Sequence, residues 1–258
     1  MQEISKRIQR ARELAEQARE LAEQTGNKTT KVYNCEICKD TEFIFETDAN
    51  GYEYAKPCKC KERNRSLRLL QYSGISEEDA KKGFTQFETF NEQGLIAAKK
   101  AAAEYFKVFR DIKDSRNNSL LLSGASGRGK TTLGMAVANN LINVCEAVTY
   151  MPYREEITQL KQEITDEQTY REHVQRLKNT NVLFIDDLLK GKVTDSDLNI
   201  IYEIVNARYL AKRPMIISTE KTPAELLSYD EAIGGRIMEM CKGYVVTFDS
   251  SIPNYRMR

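Results

Sequence analysis

The sequence predicts an α/β fold in which helices cover both faces of a parallel β-sheet. From residue 93 onward, short apolar segments typical of buried strands alternate with longer amphipathic segments typical of helices. This alternation favours parallel strands, because each connection between two parallel strands crosses over the sheet and usually contains a helix. Two motifs at predicted strand ends, a glycine-rich loop and a pair of carboxylates, support the same fold class.

The glycine-rich loop lies between an apolar strand at residues 120–122 and a helix predicted over residues 130–144. Glycines allow the backbone N–H groups to point at phosphate oxygens, and the N-terminus of a helix favours anions. In this pattern Lys130 contacts the β- and γ-phosphates of a nucleotide and the Thr131 hydroxyl holds Mg²⁺. The loop matches G-x-x-x-x-G-K-[ST], the P-loop, with Gly124, Ala125, Ser126, Gly127, Arg128, Gly129, Lys130 and Thr131, followed by Thr132.

The pair of carboxylates ends a second apolar strand, residues 181–187 (NVLFIDD). Beside the P-loop strand, such a strand brings Asp186 to the Mg²⁺ site and leaves Asp187 near the γ-phosphate. The other predicted elements are a helix over 93–110, a strand over 147–153, one or two helices over 154–178, a helix over 195–211, a strand over 215–219, helices over 222–228 and 231–241, and a last strand over 244–248.

Four cysteines near the N-terminus have metal-ligand spacing. Cys35 and Cys38 form one close pair, Cys58 and Cys60 form another, and aromatic segments around an Asn-Gly turn separate them. This arrangement predicts a β-hairpin that carries a tetrahedral Zn²⁺ site. Because all four ligands are thiolates, no position stays open for catalysis, and we expect the metal to stabilise the small module.

An amphipathic, alanine-rich helix is predicted over residues 3–24. Its narrow apolar face packs either against the cysteine module or a second copy of the chain, or against a helix of a partner protein. A basic cluster beside the second cysteine pair is either a solvated face or a phosphate contact. We expect three regions: residues 1–70 with the helix and zinc module for partner binding, a linker over 71–92, and an ATPase domain over 93–258.

The overall composition indicates a soluble, cytoplasmic protein. Lys and Arg number 39 against 38 Asp and Glu, so the net charge of +1 neither favours nor disfavours nucleic acid. No apolar run approaches the roughly 18 to 20 residues that span a membrane, and no signal peptide is recognisable.

We expect His173, the one histidine, to lie on the surface. Side chains proposed to contact single-stranded DNA are Tyr153, Arg154, Lys161 and Lys178.

The segments GASGRGKTTL, LFIDDLLK, GGRIMEMC and NYRMR, together with the N-terminal cysteine module, resemble the bacterial and phage replicative helicase loaders of the DnaC/DnaI type. These loaders are a branch of the AAA+ ATPases. The resemblance implies an AAA+ P-loop core that hydrolyses ATP with Mg²⁺, associates with itself through this domain, and binds a DnaB-type helicase hexamer and single-stranded DNA. It implies an arginine finger at Arg236, a sensor-2 arginine at Arg256 and a sensor-1 residue at Thr219.

Two alternatives remain open from the sequence. An IstB-type transposition helper shares the ATPase core and the arginines, although such proteins usually lack a four-cysteine module. A nucleotide-gated adaptor uses ATP to set its conformation and hydrolyses little of it. The Asp186–Asp187 pair bears on this alternative, because most AAA+ enzymes have Asp-Glu here and the shorter Asp187 should position the attacking water less well.

Overall fold

The structure of the protein is a computed structural model that describes residues 33–249, 252, 254 and 255. The chain divides into two compact units, one ending at Cys60 and the other beginning at Lys61. The helix predicted over residues 3–24 and the predicted sensor-2 residue Arg256 both lie outside the described residues.

The first unit contains a β-hairpin. Strands β1 (Phe43–Thr47) and β2 (Glu53–Pro57) pair in antiparallel register, as the aromatic segments predicted. Asp48 organises the turn, because its carboxylate accepts hydrogen bonds from the backbone N–H groups of Asn50 and Tyr52, each at 2.9 Å. Gly51 has a φ of 83°, a conformation that glycine adopts without steric cost. The hairpin therefore ends in a tight turn that brings the two cysteine pairs together.

The second unit is a five-stranded parallel sheet with helices, which confirms the predicted fold class. The strand order is β4-β5-β6-β3-β7, and every neighbouring pair is parallel. The strands are β3 (Leu120–Gly124), β4 (Val148–Pro152), β5 (Val182–Leu188), β6 (Met215–Thr219) and β7 (Val245–Phe248). The helices are α1 (Cys60–Tyr72), α2 (Gln93–Ile112), α3 (Lys130–Asn143), α4 (Tyr153–Glu163), α5 (Glu167–Asn179), α6 (Asp195–Leu210), α7 (Pro223–Tyr229) and α8 (Glu231–Met240).

Two hydrophobic cores lie on opposite faces of the sheet. Leu121 of β3 packs in a core with residues of α4 to α8, whereas its neighbours Leu120 and Leu122 pack in a core with residues of α2 and α3. The split follows from the strand geometry, since successive side chains point to opposite faces. All three side chains are fully buried, as expected for a parallel sheet covered on both sides. No helix in the described part of the chain is long and apolar enough to cross a membrane.

The segment predicted to be a linker, residues 71–92, packs within the second unit. The Asn139 amide of α3 donates hydrogen bonds to the carbonyl oxygens of Asp79 and Lys82 at 2.7 and 2.8 Å. Phe87 is 1% exposed and belongs to the core formed with α2 and α3. The boundary lies between Cys60 and Lys61, earlier than predicted. The polar composition of the segment concealed these contacts, which use one aromatic ring and backbone carbonyls.

Arg208 of α6 is fully buried and binds backbone carbonyl oxygens at the ends of one helix and two strands. The guanidinium group of arginine has five N–H donors, so it can bind several carbonyl oxygens at once. The partial negative charge of these oxygens stabilises the positive guanidinium. Its partners lie at the end of α5 and at the starts of β5 and β6, where helix-terminal carbonyls lack intrahelical donors. Its Nη atoms donate to the carbonyl oxygens of Leu177, Lys178, Thr180, Asn181 and Pro214, at 2.6 to 3.2 Å.

Candidate functional site

The P-loop connects the end of β3 to the start of α3, as predicted. Gly124 has a φ of 138°, and a Cβ at this position would lie 2.1 Å from the carbonyl oxygen of Phe248, so only glycine fits. Gly129 precedes α3 with a φ of 92°. Lys130 is 4% exposed, and its Nζ donates to the Ala125 carbonyl oxygen at 2.8 Å. Burial lowers the pKa of Lys130 below its usual value, and a bound phosphate would stabilise the charged form.

A small pocket lies beside the P-loop, at the edge of the sheet where the carboxyl ends of the strands lie. We call it the phosphate pocket. In parallel α/β sheets this edge is the usual ligand site, because helix N-termini and strand-end loops converge there. The residues that line the pocket are Ser126, Gly127, Gly129, Lys130, Thr131, Thr132, Asp187, Lys190 and Tyr255. The structure therefore brings the P-loop and the second acidic residue together at one cavity.

Asp186 is buried at the end of β5 and accepts three hydroxyl hydrogen bonds. Thr131 donates to its Oδ1 at 2.9 Å, Tyr150 donates to its Oδ2 at 3.1 Å, and Ser218 donates to Oδ1 as well. Burial raises the pKa of Asp186 above its usual value despite these hydrogen bonds. A divalent cation would stabilise the ionised form, and a carboxylate beside a hydroxyl supplies the oxygen ligands that Mg²⁺ prefers. Thr131 and Asp186 fit the predicted magnesium site.

A bulge in β5 places both acidic residues at the same site. Between the pairs Ile185↔Ile217 and Leu188↔Thr219, β5 has two residues where β6 has only one. Asp187 has a φ of 58°, and its backbone N–H donates to the Ser218 hydroxyl at 2.8 Å. In a regular strand two successive side chains would point to opposite faces, but the bulge redirects one of them. Asp187 thus faces the phosphate pocket while Asp186 contacts the P-loop threonine.

The structure does not bring the Thr219 hydroxyl to the phosphate pocket. Thr219 is fully buried, and its hydroxyl donates to the Leu188 carbonyl oxygen at 2.8 Å and accepts the Lys221 N–H at 3.1 Å. The side chain of the next residue, Glu220, lies near Ser126 of the P-loop instead, and this neighbour helps to lower the pKa of Glu220. Thr219 therefore stabilises the end of the strand, which corrects the sensor-1 prediction.

Sequence reasoning missed several polar residues around the two aspartates. Ser218 escaped notice because it lies inside an apolar strand, and only the bulge gives it contacts with two successive aspartates. Lys190 was overlooked because it lies in the loop after the strand, where the sequence does not distinguish it from the other charged residues. Its ammonium lies 2.7 Å from Asp187 Oδ2. Residues three positions apart can form such a contact, but the spacing alone does not predict it. The overlooked residues are Tyr150, Ser218, Lys190 and Glu220.

Tyr255, near the C-terminus, lies over the P-loop. Its backbone N–H donates to the Gly127 carbonyl oxygen at 2.6 Å, and its hydroxyl accepts the Glu88 N–H at 3.0 Å. Its ring stacks on Phe87 with ring centres 5.5 Å apart and meets the edge of Phe90 at 5.3 Å. The aromatic segment before α2 thus packs with Tyr255 beside the phosphate pocket.

Arg236, the predicted arginine finger, is half-buried on α8. Its Nε donates to Asn206 Oδ1 at 3.0 Å, and its Nη1 donates to the Ala232 carbonyl oxygen at 2.8 Å. Its guanidinium also lies over the rings of Tyr202 and Tyr209, 5.2 and 5.5 Å from their centres. These contacts hold the guanidinium against α6 of its own chain. A role at a neighbouring subunit stays a prediction.

The proposed DNA-contacting side chains are largely engaged within the protein. Tyr153 is 2% exposed, so its ring cannot stack on a base, and this part of the prediction is corrected. Lys161 forms an ion pair with Asp197, and Lys178 forms one with Glu203. Arg154 is exposed and donates to a loop carbonyl oxygen at 3.3 Å. Among these four residues Arg154 is best placed to meet a phosphate.

His173 is not a surface residue, contrary to the prediction. Its side chain is 9% exposed, with Nε2 2.6 Å from Glu156 and Nδ1 2.8 Å from Glu163. Arg176 lies 3.0 Å from the same Glu156 carboxylate. The histidine therefore joins α5 to α4 through two carboxylates. The charged sequence of both helices suggested solvent exposure, but this polar face lies between the helices.

In the first unit the four predicted ligands converge. The sulfur atoms of Cys35, Cys38, Cys58 and Cys60 lie within 4.8 Å of one another, with Cys35–Cys58 at 3.7 Å and Cys38–Cys60 at 3.3 Å. A tetrahedral ion with bonds of about 2.3 Å separates its sulfur ligands by about 3.8 Å, so the cluster fits a metal ion. A backbone hydrogen bond from Cys38, above all, lowers the pKa of Cys35 to about 7, which favours the thiolate form.

Comparisons with known proteins agree with the fold. A family model described as IstB-like ATP binding protein matches residues 68–239, about two thirds of the chain and including the P-loop and both aspartates. The phage-like element PBSX protein XkdC of Bacillus subtilis (strain 168) is 38% identical over 221 residues, covering 83% of this chain and 82% of XkdC.

Solved structures extend the comparison to the fold. The DnaC helicase loader superimposes with a TM-score of 0.59 at 19% identity, covering 67% of this chain and 100% of that structure. DnaI superimposes with a TM-score of 0.56 at 21% identity, covering 68% of this chain and 95% of that structure. These similarities confirm the AAA+ P-loop fold.

Proposed function

Because the chain belongs to the family of IstB-like ATP-binding proteins, we propose that it is an ATP-hydrolysing loader of a replicative DNA helicase. It binds a DnaB-type hexamer and helps to place it on single-stranded DNA in the cytoplasm. The contact between Thr131 and Asp186 carries the ATPase part of this proposal, since it joins the P-loop to an acidic strand end and offers two oxygen-bearing side chains to a divalent cation. The helicase part rests on the likeness to the loader fold and on the cysteine module.

The residues of the pocket have complementary tasks in hydrolysis. Lys130 and the P-loop N–H groups hold the phosphates, while Thr131 and Asp186 hold Mg²⁺, which screens phosphate charge when bound. Asp187 orients the attacking water and accepts a hydrogen bond from it. The water oxygen bonds to the γ-phosphorus as the bond to the β,γ-bridging oxygen breaks, and ADP keeps that electron pair. The proton of the water passes to the released phosphate or to solvent.

Self-association completes the site in this proposal. Arg236 leaves Asn206 and acts on the nucleotide of a neighbouring subunit, where a guanidinium stabilises charge that develops during phosphoryl transfer. Arg256 acts on the nucleotide of its own subunit. Its neighbour Tyr255 contacts the P-loop directly, which supports a position of this tail beside the phosphates.

Zn²⁺ is the proposed ion of the four-cysteine cluster. Four sulfurs in a small module match the ligand set of a structural zinc site, and three of the four cysteines are buried. The module lies outside the residues that the IstB-like family model matches. We therefore assign it to recognition of the helicase, while the ATPase unit binds nucleotide.

A transposition helper of the IstB type is the second candidate, and the match of the family model over residues 68–239 favours it. Size-exclusion chromatography with a purified replicative helicase hexamer separates the two proposals. A loader co-migrates with the hexamer, and ATP changes the amount bound. A variant lacking Cys35 and Cys58 should lose the complex but retain nucleotide binding. Failure of the intact protein to bind any replicative helicase from its host would remove the loader proposal.

A nucleotide-gated adaptor would bind ATP without rapid turnover. Steady-state ATP hydrolysis with and without single-stranded DNA tests this alternative. A loader that works as an ATPase shows turnover above that of a Lys130→Ala control, and DNA or the helicase raises it. ATP binding without measurable turnover under all of these conditions would favour the adaptor.

A further inference from the structure

Lys190 forms a three-charge cluster with the carboxylates at the ends of two neighbouring strands. Its Nζ lies 2.7 Å from Asp187 Oδ2, near the end of β5, and 3.3 Å from Glu220 Oε1, just after β6. The three side chains are about equally exposed, at 35%, 31% and 32%. The cluster is therefore open to solvent and to a ligand.

The same ammonium faces the phosphate pocket. Lys190 lines this pocket together with Lys130, Thr131 and Ser126 of the P-loop. The hydrogen bond to Asp187 raises the pKa of Lys190, so the lysine is a cation at neutral pH. Lys190 thus lies between the second acidic residue and the loop that holds phosphate.

The ion pair with Lys190 engages one carboxylate oxygen of Asp187. A carboxylate that orients an attacking water needs an oxygen directed at that water, and here Oδ2 is bound by Lys190. A partly exposed ion pair is weak, so a phosphate group can compete for the ammonium. ATP differs from ADP by its γ-phosphate, so a cation that meets this group distinguishes the two nucleotides.

We propose that Lys190 recognises the γ-phosphate of ATP in cis: it moves from Asp187 to this phosphate and thereby frees Asp187 to orient water. Glu220 keeps the ammonium beside the pocket when the phosphate has left. This proposal rests on the proposed ATPase function and adds a residue that distinguishes ATP from ADP. The P-loop lysine, by contrast, is buried against the loop itself.

Calorimetric titration of the full-length protein with ADP and with the non-hydrolysable analogue AMP-PNP, both with Mg²⁺, tests the proposal. In Lys190→Met the affinity for AMP-PNP should fall by about 10-fold or more, while the affinity for ADP stays within about two-fold. Lys190→Arg, which retains a cation, should preserve most of the preference. Lys192→Met is a matched control from the same loop, because Lys192 is exposed and does not line the phosphate pocket.

Hydrolysis provides a second measurement. Lys190→Met removes the cation at the γ-phosphate and should lower kcat. Because the Asp187 carboxylate is already free in this variant, adding Asp187→Asn should lower kcat there at least as much as it does in the wild-type protein. Equal losses of affinity for ADP and AMP-PNP, or no loss for either, would overturn the proposal even if the wild type binds ATP well. A wild-type protein that binds neither nucleotide would instead remove the proposed function, and this inference with it.

Discussion

The hydroxyl of Thr131, in the first turn of α3, donates a hydrogen bond to Asp186 Oδ1, at the end of β5, across 2.9 Å. The two residues are 55 positions apart in the sequence and meet because β5 and α3 end and begin at the same edge of the sheet. Both side chains offer oxygen atoms of the kind that Mg²⁺ prefers. The fold of the second unit thus brings the two residues of the proposed magnesium site into contact.

Replacing Lys130 with alanine should abolish nucleotide binding. The substitution removes the cation that the P-loop positions on the β- and γ-phosphates, and we expect the affinity for ATP to fall by about 100-fold or more. Fluorescence titration with a labelled ATP analogue measures the change. Lys107→Ala, on the exposed face of α2, is the control and should bind normally. Undiminished affinity in Lys130→Ala would contradict the site assignment.

Removing the metal should unfold the cysteine module and spare the ATPase unit. We expect one zinc per chain by elemental analysis, and its loss in Cys35→Ser or Cys58→Ser, because three thiolates bind Zn²⁺ much less tightly than four. Nucleotide affinity should stay unchanged, since the P-loop lies in the other compact unit. Cys145→Ser, outside the cluster, is the control. A metal-free protein with four titratable thiols at these positions would refute the prediction.

Arg208→Met should destabilise the ATPase unit strongly. The variant removes the guanidinium donors from five buried or partly buried carbonyl oxygens, and the expected loss is about 3 to 5 kcal/mol in the free energy of unfolding. Burial lowers the pKa of Arg208 to about 9, so the cation persists at neutral pH. Urea denaturation measures the loss. Arg171→Met, whose side chain is 70% exposed on α5, should change stability by less than about 0.5 kcal/mol.

Asp197→Asn should destabilise the protein at neutral pH and less in acid. Asp197 accepts the Thr194 N–H at 2.9 Å in the capping box of α6 and pairs with Lys161. Burial acts to raise the pKa of Asp197, but these partners hold it below its usual value. Its contribution is therefore complete above the unfolded pKa of about 3.9 and is lost as pH falls through the lower folded pKa.

Denaturation at several pH values tests this dependence. Near pH 7 the wild type should exceed Asp197→Asn by about 1 to 2 kcal/mol, and the difference should shrink below about pH 4. Asp195→Asn, an exposed residue in the same helical turn, is the control. A difference that stays constant down to acid pH would show that charge at Asp197 is not the cause.

Mixing two inactive variants tests the trans role of Arg236. Lys130→Ala subunits retain the arginine and Arg236→Ala subunits retain the nucleotide site, so a finger in trans predicts partial recovery of ATPase activity in the mixture. Arg236→Ala also loses its contacts with α6, hence Asn206→Ala serves as a control that removes the intrachain partner and keeps the guanidinium. No recovery in mixtures shown to co-assemble would leave Arg236 with a structural role only.

Local patterns were sufficient for the order of strands and helices, the P-loop and the four cysteines. Each depends on neighbours in the chain: an apolar run followed by a glycine-rich loop, or two cysteine pairs around a turn. The meeting of Asp186 with the P-loop could also be predicted from the carboxylates that end an apolar strand. The expected strand neighbour was wrong, because β6 lies between β5 and the P-loop strand β3. The linker was mispredicted because polar composition does not reveal a single buried ring such as Phe87.

The details of the phosphate pocket depend on tertiary contacts that no local pattern contains. Asp187 faces the pocket because β5 bulges against Ser218, and the strand sequence alone would place the two aspartates on opposite faces. The Thr219 hydroxyl does not line this pocket, because it binds the Leu188 carbonyl oxygen of the neighbouring strand. Sequence patterns therefore determined the fold class and the position of the P-loop, through periodicity and backbone geometry. Packing between strands distant in sequence decided which polar side chains line the pocket beside that loop.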